Sequence, residues 1–458
     1  MIFFLSVLLF ISSLPFEMLE SNLRDDPSTL VFPTRAHIPV RKATKFHLFL
    51  YMQNRVKVRN PQGIAVARLD VWEDEGTDKD DDEISIYGVN SSQNVLIYNN
   101  SMTSLAVYGL NERGREQLNA PHGITASHWG DVYLADTGNN RVVKFFNDGK
   151  QMRFEKPLLQ NQLLHPVAVA LAADSSLYIS DTENNRVLLV RADTLHSTFV
   201  ASGQEPGAVW HPTGIAAIAA SERWSFWKEP FVVVVDQFGK RIQRFDRDGQ
   251  LLAAIDSKDL GYEKANLQYA AIDYYGNIWV TDRGNHCVHK FDRHLQHLDT
   301  FGHKGSGDRE FTEPRGIAIH KRFGQVLIAE KESVQYYWIG TDVKNLQARR
   351  DDDGFLQLDY FLTERSFVTL EVLNRRGRVV ATLMQETPRE PGQNSERFDA
   401  DFKPLPFVFR NNKRVFDRSR FGGLPRGRNQ NFTLRLTLSA TYSSYKYFSK
   451  EMELHVQF

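Results

Sequence analysis

A segment of about thirty residues recurs through the middle of this chain, and its period of roughly 45 residues restricts what the chain can build. PHGITASHWGDVYLADTGNNRVVKFFNDGK (121–150) aligns without a gap to HPVAVALAADSSLYISDTENNRVLLVRADTL (165–195) through the Asp and Asn-Asn-Arg positions. A further copy opens as HPTGIAAI at His211, is interrupted by SERWSFWKEP, and resumes as FVVVVDQFGKRIQRFDRDGQ. Two more read YAAIDYYGNIWVTDRGNHCVHKFDRH from Tyr269 and EPRGIAIHKRFGQVLIAEKESVQYYWIG from Glu313. The equivalent acidic residues, Asp136, Asp181, Asp236, Asp282 and Glu330, lie 45, 55, 46 and 48 residues apart, the insertion accounting for the longest interval. Upstream, NPQGIAVARLDV from Asn60 and ISIYGVNSSQNVLIYN from Ile84 flank the acidic run EDEGTDKDDDE and complete a sixth unit. Each unit reads as apolar strand, turn, second strand, polar turn, third strand. One such sheet cannot bury its own faces, so the copies must pack side by side, and packing them around an axis leaves only short, protected edges. The expectation is a β-propeller.

The polar turn has its own chemistry. Asp accepts hydrogen bonds from nearby backbone N–H groups, and Gly and Asn tolerate the left-handed dihedrals of a tight connection, so Asp136, Asp181, Asp236 and Asp282 are read as structural turn residues. Lys+Arg 56 balances Asp+Glu 56, which removes the basic field that holds a polyanion and argues against nucleic acid as a partner. The one cysteine, Cys287, cannot close an intramolecular disulfide or build a Cys-rich zinc site, and is read as a small buried apolar residue. Ile2 to Phe16 (IFFLSVLLFISSLPF) is short for a spanning helix and suits a signal-peptide core or N-terminal anchor over residues 1–20. With so little cysteine, export to a bacterial periplasm, cell envelope or exterior is expected.

At GDVYLADTGNNRVVKFF and SSLYISDTENNRVLLV the sequence resembles NHL repeats, over roughly Phe46 to Ala348. The resemblance implies a six-bladed NHL-type propeller over 45–348, with one blade closed by strands from both ends; Lys45 to Val58 is the expected closing strand. Residues 349–354, within ARRDDDG, read as a linker. Beyond it FLQLDYFLTERSFVTLEVLNRRGRVVATL alternates apolar and polar residues around an Asn374-to-Gly377 hairpin turn, and FTLRLTLSATYSSYKYFSKEMELHVQF supplies further strands. That makes 355–458 a small β-sandwich. Phe367–Leu383, Pro391-Gly392 and Gly423-Leu424-Pro425 through Thr441 resemble the immunoglobulin-like module of flagellar hook-capping proteins, which implies an adaptor or sorting role. The pattern departs between Lys403 and Arg420, where an insertion replaces the Trp-Asp-Gly turn.

The NHL resemblance has one enzymatic branch to weigh, an amidating lyase that cleaves peptidyl-hydroxyglycine on a central zinc held by histidines at the Pro-x-Gly-Ile position. His122 matches; Gln62, Val167, Thr213, Gln268 and Arg315 stand at the equivalent positions. A catalytic zinc needs about three protein ligands, so His122 is a weak metal candidate, and no catalytic residue, metal or cofactor is assigned. The acidic insertion Glu73 to Glu83 reads as a solvated loop with at most weak calcium affinity, since it lacks the offsets of an EF-hand. Lys403 to Arg428 contains Arg410, Lys413, Arg414, Arg418, Arg420, Arg426 and Arg428 with interleaved phenylalanines, a basic patch suited to an anionic envelope surface. Trp224, Phe226 and Trp227 in the inserted loop, with Arg315, are the expected partner-binding residues. The favoured function is an exported, non-enzymatic binding scaffold for a protein or glycan; the alternative is a metal-dependent lyase or hydrolase in the propeller channel.

Overall fold

The computed structural model describes residues 26–33, 41–52, 56–58, 60–72, 84–101, 104–350, 355–398, 407–410, 413–416, 431–442 and 448–457. The signal-peptide or anchor segment and the acidic insertion lie outside them. The chain divides into two compact units, Leu30–Ile339 with Thr441–Lys446, and Met1–Thr29 with Gly340–Ala440 and Tyr447–Phe458.

In the first unit each repeat becomes an antiparallel sheet whose strands follow chain order from the innermost outward. The first blade holds Pro61–Ala67, Ser85–Asn90, Val95–Ser101 and Ser104–Tyr108. The second holds Ile124–Ala126, Asp131–Asp136, Arg141–Asn147 and Met152–Leu158, and the third Pro166–Leu171, Leu177–Asp181, Arg186–Arg191 and Thr194–Val200. The fourth holds Gly214–Ile218, Phe231–Asp236, Arg241–Phe245 and Leu251–Asp256; the fifth Leu267–Ile272, Ile278–Asp282, Cys287–Phe291 and His297–Phe301. Ile317–His320, Gln325–Ala329 and Ser333–Ile339 form the sixth. Innermost strands touch in cyclic order, the sixth returning to the first, so the sheets form a closed propeller. Apolar residues of facing blades fill the wedges between them, as where Val187 and Phe199 of the third meet Val232 and Phe245 of the fourth.

The Gly of the Gly-Ile motif has a steric cause. Gly63, Gly123 and Gly316 donate their N–H to His122, Val167 and Gln62 carbonyls of the next inner strand at 3.1, 2.8 and 3.2 Å. A Cβ on Gly316 would stand 2.4 Å from the Gln62 oxygen and 2.7 Å from the Ile64 nitrogen, both backbone. Gly316→Ala is therefore expected to cost about 1–3 kcal/mol, read as a lower denaturant midpoint with an unchanged slope.

The closing strand is not where the sequence placed it. Leu30–Val31 and Lys42–Thr44 pair antiparallel with Ser333–Ile339, whereas Lys45–Met52 is a helix. Thr44 precedes that helix and donates its backbone N–H to His47 Nδ1 at 3.2 Å. The apolar run KFHLFLYM reads as a strand, yet its buried contacts fall at helical spacing. Leu48 and Met52 pack on Val56 and Val95, while Phe46, Phe49 and Leu50 are exposed.

The second unit contains a three-stranded sheet, Val343–Arg350, Leu356–Leu362 and Gly392–Phe398, and a four-stranded one of Val379–Arg389, Ser366–Leu373, Asn431–Ala440 and Ser449–Gln457. Leu356, Leu358, Tyr360 and Leu362 of the first share one core with Val368, Leu370, Val372, Leu434, Leu436 and Leu438 of the second, a sandwich. The linker reading is corrected: Arg349 and Arg350 pair with Gln357 and Leu356, because Val343, Leu346 and Ala348 face that core and begin the sandwich upstream of residue 355. Residues 351–354 lie outside the described set. The turn at Asn374 is closed by its Oδ1, which accepts the N–H groups of Arg376 and Arg378 at 2.9 and 3.1 Å.

Candidate functional site

In the second and third blades the polar turn between the second and third strands is a three-part clasp. Buried Asp136 accepts the Asn119 N–H (2.7 Å), Asn139 Nδ2 (2.8 Å) and Arg141 Nε (2.8 Å). Asp181 repeats this with Leu164, Asn184 and Arg186, and Asp236 takes the Trp210 N–H and Arg241. Thr137 and Thr182 donate Oγ1–H to the Pro166 and Pro212 carbonyls of the following blade at 2.7 and 2.8 Å. The last Asn of the turn is left-handed, and Asn94, Asn140 and Asn185 accept the N–H of Ala120, His165 and His211 at 2.7–2.8 Å. Those three residues precede proline and are themselves at φ of 41, 46 and 49°, a strained bend the clasp holds in place.

The fifth blade departs from the clasp at more than one position. His286 replaces the last Asn, and its Nδ1 accepts the Glu313 N–H at 3.0 Å. Five residues after Asp282, where the second, third and fourth blades carry arginine, stands Cys287. Asp282 instead meets His289, Nε2 to Oδ2 3.2 Å, with Cys287 Sγ 3.7 Å from the same nitrogen. Burial pushes the Asp282 carboxyl up, but the bonds from His289, Asn266 and Asn285 outweigh it and hold the group below the usual range.

His122 also lies at this end. Its Nδ1 is 2.9 Å from the Ala120 carbonyl and 3.0 Å from Thr137 Oγ1, and burial lowers its pKa. Arg315, expected to face a partner, is buried and committed instead: it donates to the Pro61 carbonyl at 3.0 Å, to Asn60 Oδ1, and to Glu313 at 3.1 Å. Its guanidinium reaches across the seam between the sixth and first blades, a partner no reading of one repeat could supply. Burial pushes Glu313 up, yet bonds from Lys331 and Arg315 and the charge of Arg283 hold its carboxyl at about 2.

Trp224, Phe226 and Trp227 occupy the opposite end, in the loop between Gly214–Ile218 and Phe231–Asp236. The Phe226 N–H donates to the Tyr274 carbonyl at 2.9 Å, fastening the loop to the first hairpin of the fifth blade. The Phe226 ring meets Trp227 edge-on at 4.9 Å and Tyr275 at 5.4 Å. The Arg293 guanidinium sits 3.8 Å over Trp227, and half-buried Trp224 lies between Arg223 (5.1 Å) and Arg322 (4.9 Å). Lys321 to Glu222, 3.1 Å, joins the loop to the sixth blade. Phe226 and Trp227 remain 41 % and 38 % exposed, a patch of aromatic and guanidinium surface across three blades. Arg293, Arg322 and Tyr275 escaped the sequence reading; the signal for the latter two is that they occupy the same inter-strand loop in neighbouring repeats.

Between the first and sixth blades lies a cavity of about 400 Å³ walled mainly by Ile64, Ile86, Ile97, Leu105, Leu327 and Val334. In the second unit, Arg410, Lys413 and Arg414 fall on a short hairpin, Phe407–Arg410 with Lys413–Phe416. Arg418, Arg420, Arg426 and Arg428 lie outside the described residues.

The NHL repeat matches at residues 118–145 and 275–291, within the second and fifth blades. No curated protein matches the chain. Among solved structures, a virginiamycin B lyase from Staphylococcus aureus is similar at 15% identity and TM-score 0.40, over 56% of this chain and 76% of its own. A gluconolactonase from Xanthomonas campestris is similar at 14% identity and TM-score 0.43, over 69% and 96%. PorZ of Porphyromonas gingivalis, a bacterial surface component of its type-IX secretion system, is similar at 11% identity and TM-score 0.42, over 85% and 51%.

Proposed function

We propose that this protein, a propeller carrying NHL repeats, is an exported, non-enzymatic binding scaffold that docks a protein or glycan on the end bearing Phe226 and Trp227. The observation that carries the reading is those two exposed rings, held in place by a backbone bond and stacked with arginine. Aromatic and arginine side chains on a fixed surface are the composition of interface hot spots, where truncating a central residue costs 2 kcal/mol or more. Arginine already covers one face of Trp227, which favours a protein with acidic side chains over a sugar stacked on the ring. The sandwich, read as immunoglobulin-like, acts as spacer or adaptor, and its basic stretch from Lys403 to Arg428 suits an anionic envelope surface.

Phe226→Ala and Trp227→Ala are each expected to weaken a captured partner by about 30-fold, while the melting temperature stays near wild type. The measurement is affinity capture from envelope extracts followed by titration of the recovered partner, beside a glycan array. Undiminished affinity in both variants removes this face from the proposal. Trp224 is a poor probe because it is half-buried, and truncating it would disturb the loop as well.

A second reading, a metal-dependent lyase or hydrolase, rests on His122. Burial favours its neutral imidazole, and Nδ1 is engaged, so Nε2 is the nitrogen a metal would meet. Tightly held zinc lost on His122→Ala, together with lost peptide turnover, supports it; peptide turnover undiminished in that variant excludes this site.

A further inference from the structure

We propose that Asp282, Cys287 and His289 bind one thiophilic divalent ion of the zinc class inside the fifth blade. The second, third and fourth blades answer their turn carboxylate with a guanidinium five residues on, Arg141, Arg186 and Arg241. In the fifth blade that position is Cys287, and no arginine stands there. His289, two residues further along the same strand, projects to the same face of the sheet. Cys287 Sγ, His289 Nε2 and an Asp282 oxygen converge within 4.8 Å of one another, each from a fully buried side chain.

The separations suit a metal. Zinc bonds of about 2.3 Å to sulfur and 2.0–2.1 Å to nitrogen and oxygen at tetrahedral angles put sulfur and nitrogen roughly 3.6 Å apart, and nitrogen and oxygen roughly 3.3 Å apart. The distances in the fifth blade are 3.7 and 3.2 Å. Outer contacts fix the ligands too: His289 Nδ1 lies 2.9 Å from Thr300 Oγ1, and Asp282 accepts the Asn266 N–H at 2.9 Å and Asn285 Nδ2 at 2.7 Å. Thiolate, imidazole and carboxylate with one open position is a donor set zinc accepts, and the ion supplies the positive charge that arginine supplies elsewhere. On binding, the Cys287 thiol proton leaves to water and no electron moves.

The test uses the full chain, refolded after chelation and titrated with Co²⁺ alone, then with Zn²⁺. One equivalent of Co²⁺ is expected to raise a sulfur-to-cobalt charge-transfer band that Zn²⁺ removes. Cys287→Ser abolishes the band, His289→Gln weakens binding at least roughly tenfold, and His122→Ala changes neither. If a variant fails to fold, alkylation of wild-type Cys287 under mild denaturant decides: bound Zn²⁺ should slow it at least tenfold. No band and no protection in wild type, or equal binding by the Cys287 and His289 variants, overturns the site. Loss with His122→Ala instead overturns it in favour of the other histidine.

Discussion

Asp136→Ala is expected to destabilise the propeller by about 3–5 kcal/mol, because it strips the partner from a guanidinium that has no water to turn to. Arg141 is 5 % exposed at its side chain and Asp136 fully buried, and the same carboxylate holds the Asn119 N–H and the Asn139 amide. Removing it takes the counter-charge from Arg141 and the acceptor from the Asn119 N–H in one step, and leaves Arg141 and Asn139 only the Gln117 carbonyl. The third blade supplies the control. Asp181 makes the same three bonds, but the Arg186 side chain is 33 % exposed, so water can re-solvate the cation after Asp181→Ala and the loss should be smaller. Denaturant midpoints of the two variants check the order; equal losses would mean that the backbone bonds, not the ion pair, carry the turn.

Trp279→Ala is expected to cost about 3–5 kcal/mol by emptying the largest fully buried side chain. Its indole also donates Nε1–H to Asp273 Oδ2 at 2.9 Å, and the Lys290 ammonium lies 4.6 Å from its ring. Trp279→Phe separates these contributions: it keeps most of the volume and loses the donor, for about 1–3 kcal/mol. The checking measurement is the melting temperature of both variants, with Trp279→Phe lying between wild type and Trp279→Ala.

What the sequence showed and hid follows from the range of each interaction. The ring was legible because successive repeats write the same clasp within a few residues, Asp136 to Arg141 and Asp181 to Arg186. Its closure was not: Leu30–Val31 is two residues long and carries no periodicity, and its partner is the strand Ser333–Ile339. Lys45–Met52 misled because an apolar, aromatic-rich run suits a strand, and only the packing of Leu48 and Met52 reveals the helical spacing. Arg315 was read as exposed since its acceptors, Asn60 and the Pro61 carbonyl, come from the far end of the repeat region. The loop at Trp224 to Trp227 could be found as an insertion, but which of its rings faces water is set by Arg293 and Tyr275 from another blade. Cys287 was visible as a single thiol; its place in the arginine position emerges only when the fifth repeat is laid on the second.

The pairing of Leu30–Val31 with Trp338 and Ile339 joins residues about three hundred apart, so this contact is among the last the ring can make as the chain grows. Until the sixth blade has been synthesised, five sheets stand as an open stack with bare edges, and the closing event must gather a long loop before it is rewarded. Folding should therefore be slow and committed late, which leaves a long interval in which the chain can be kept unfolded, handed to a chaperone or threaded across a membrane.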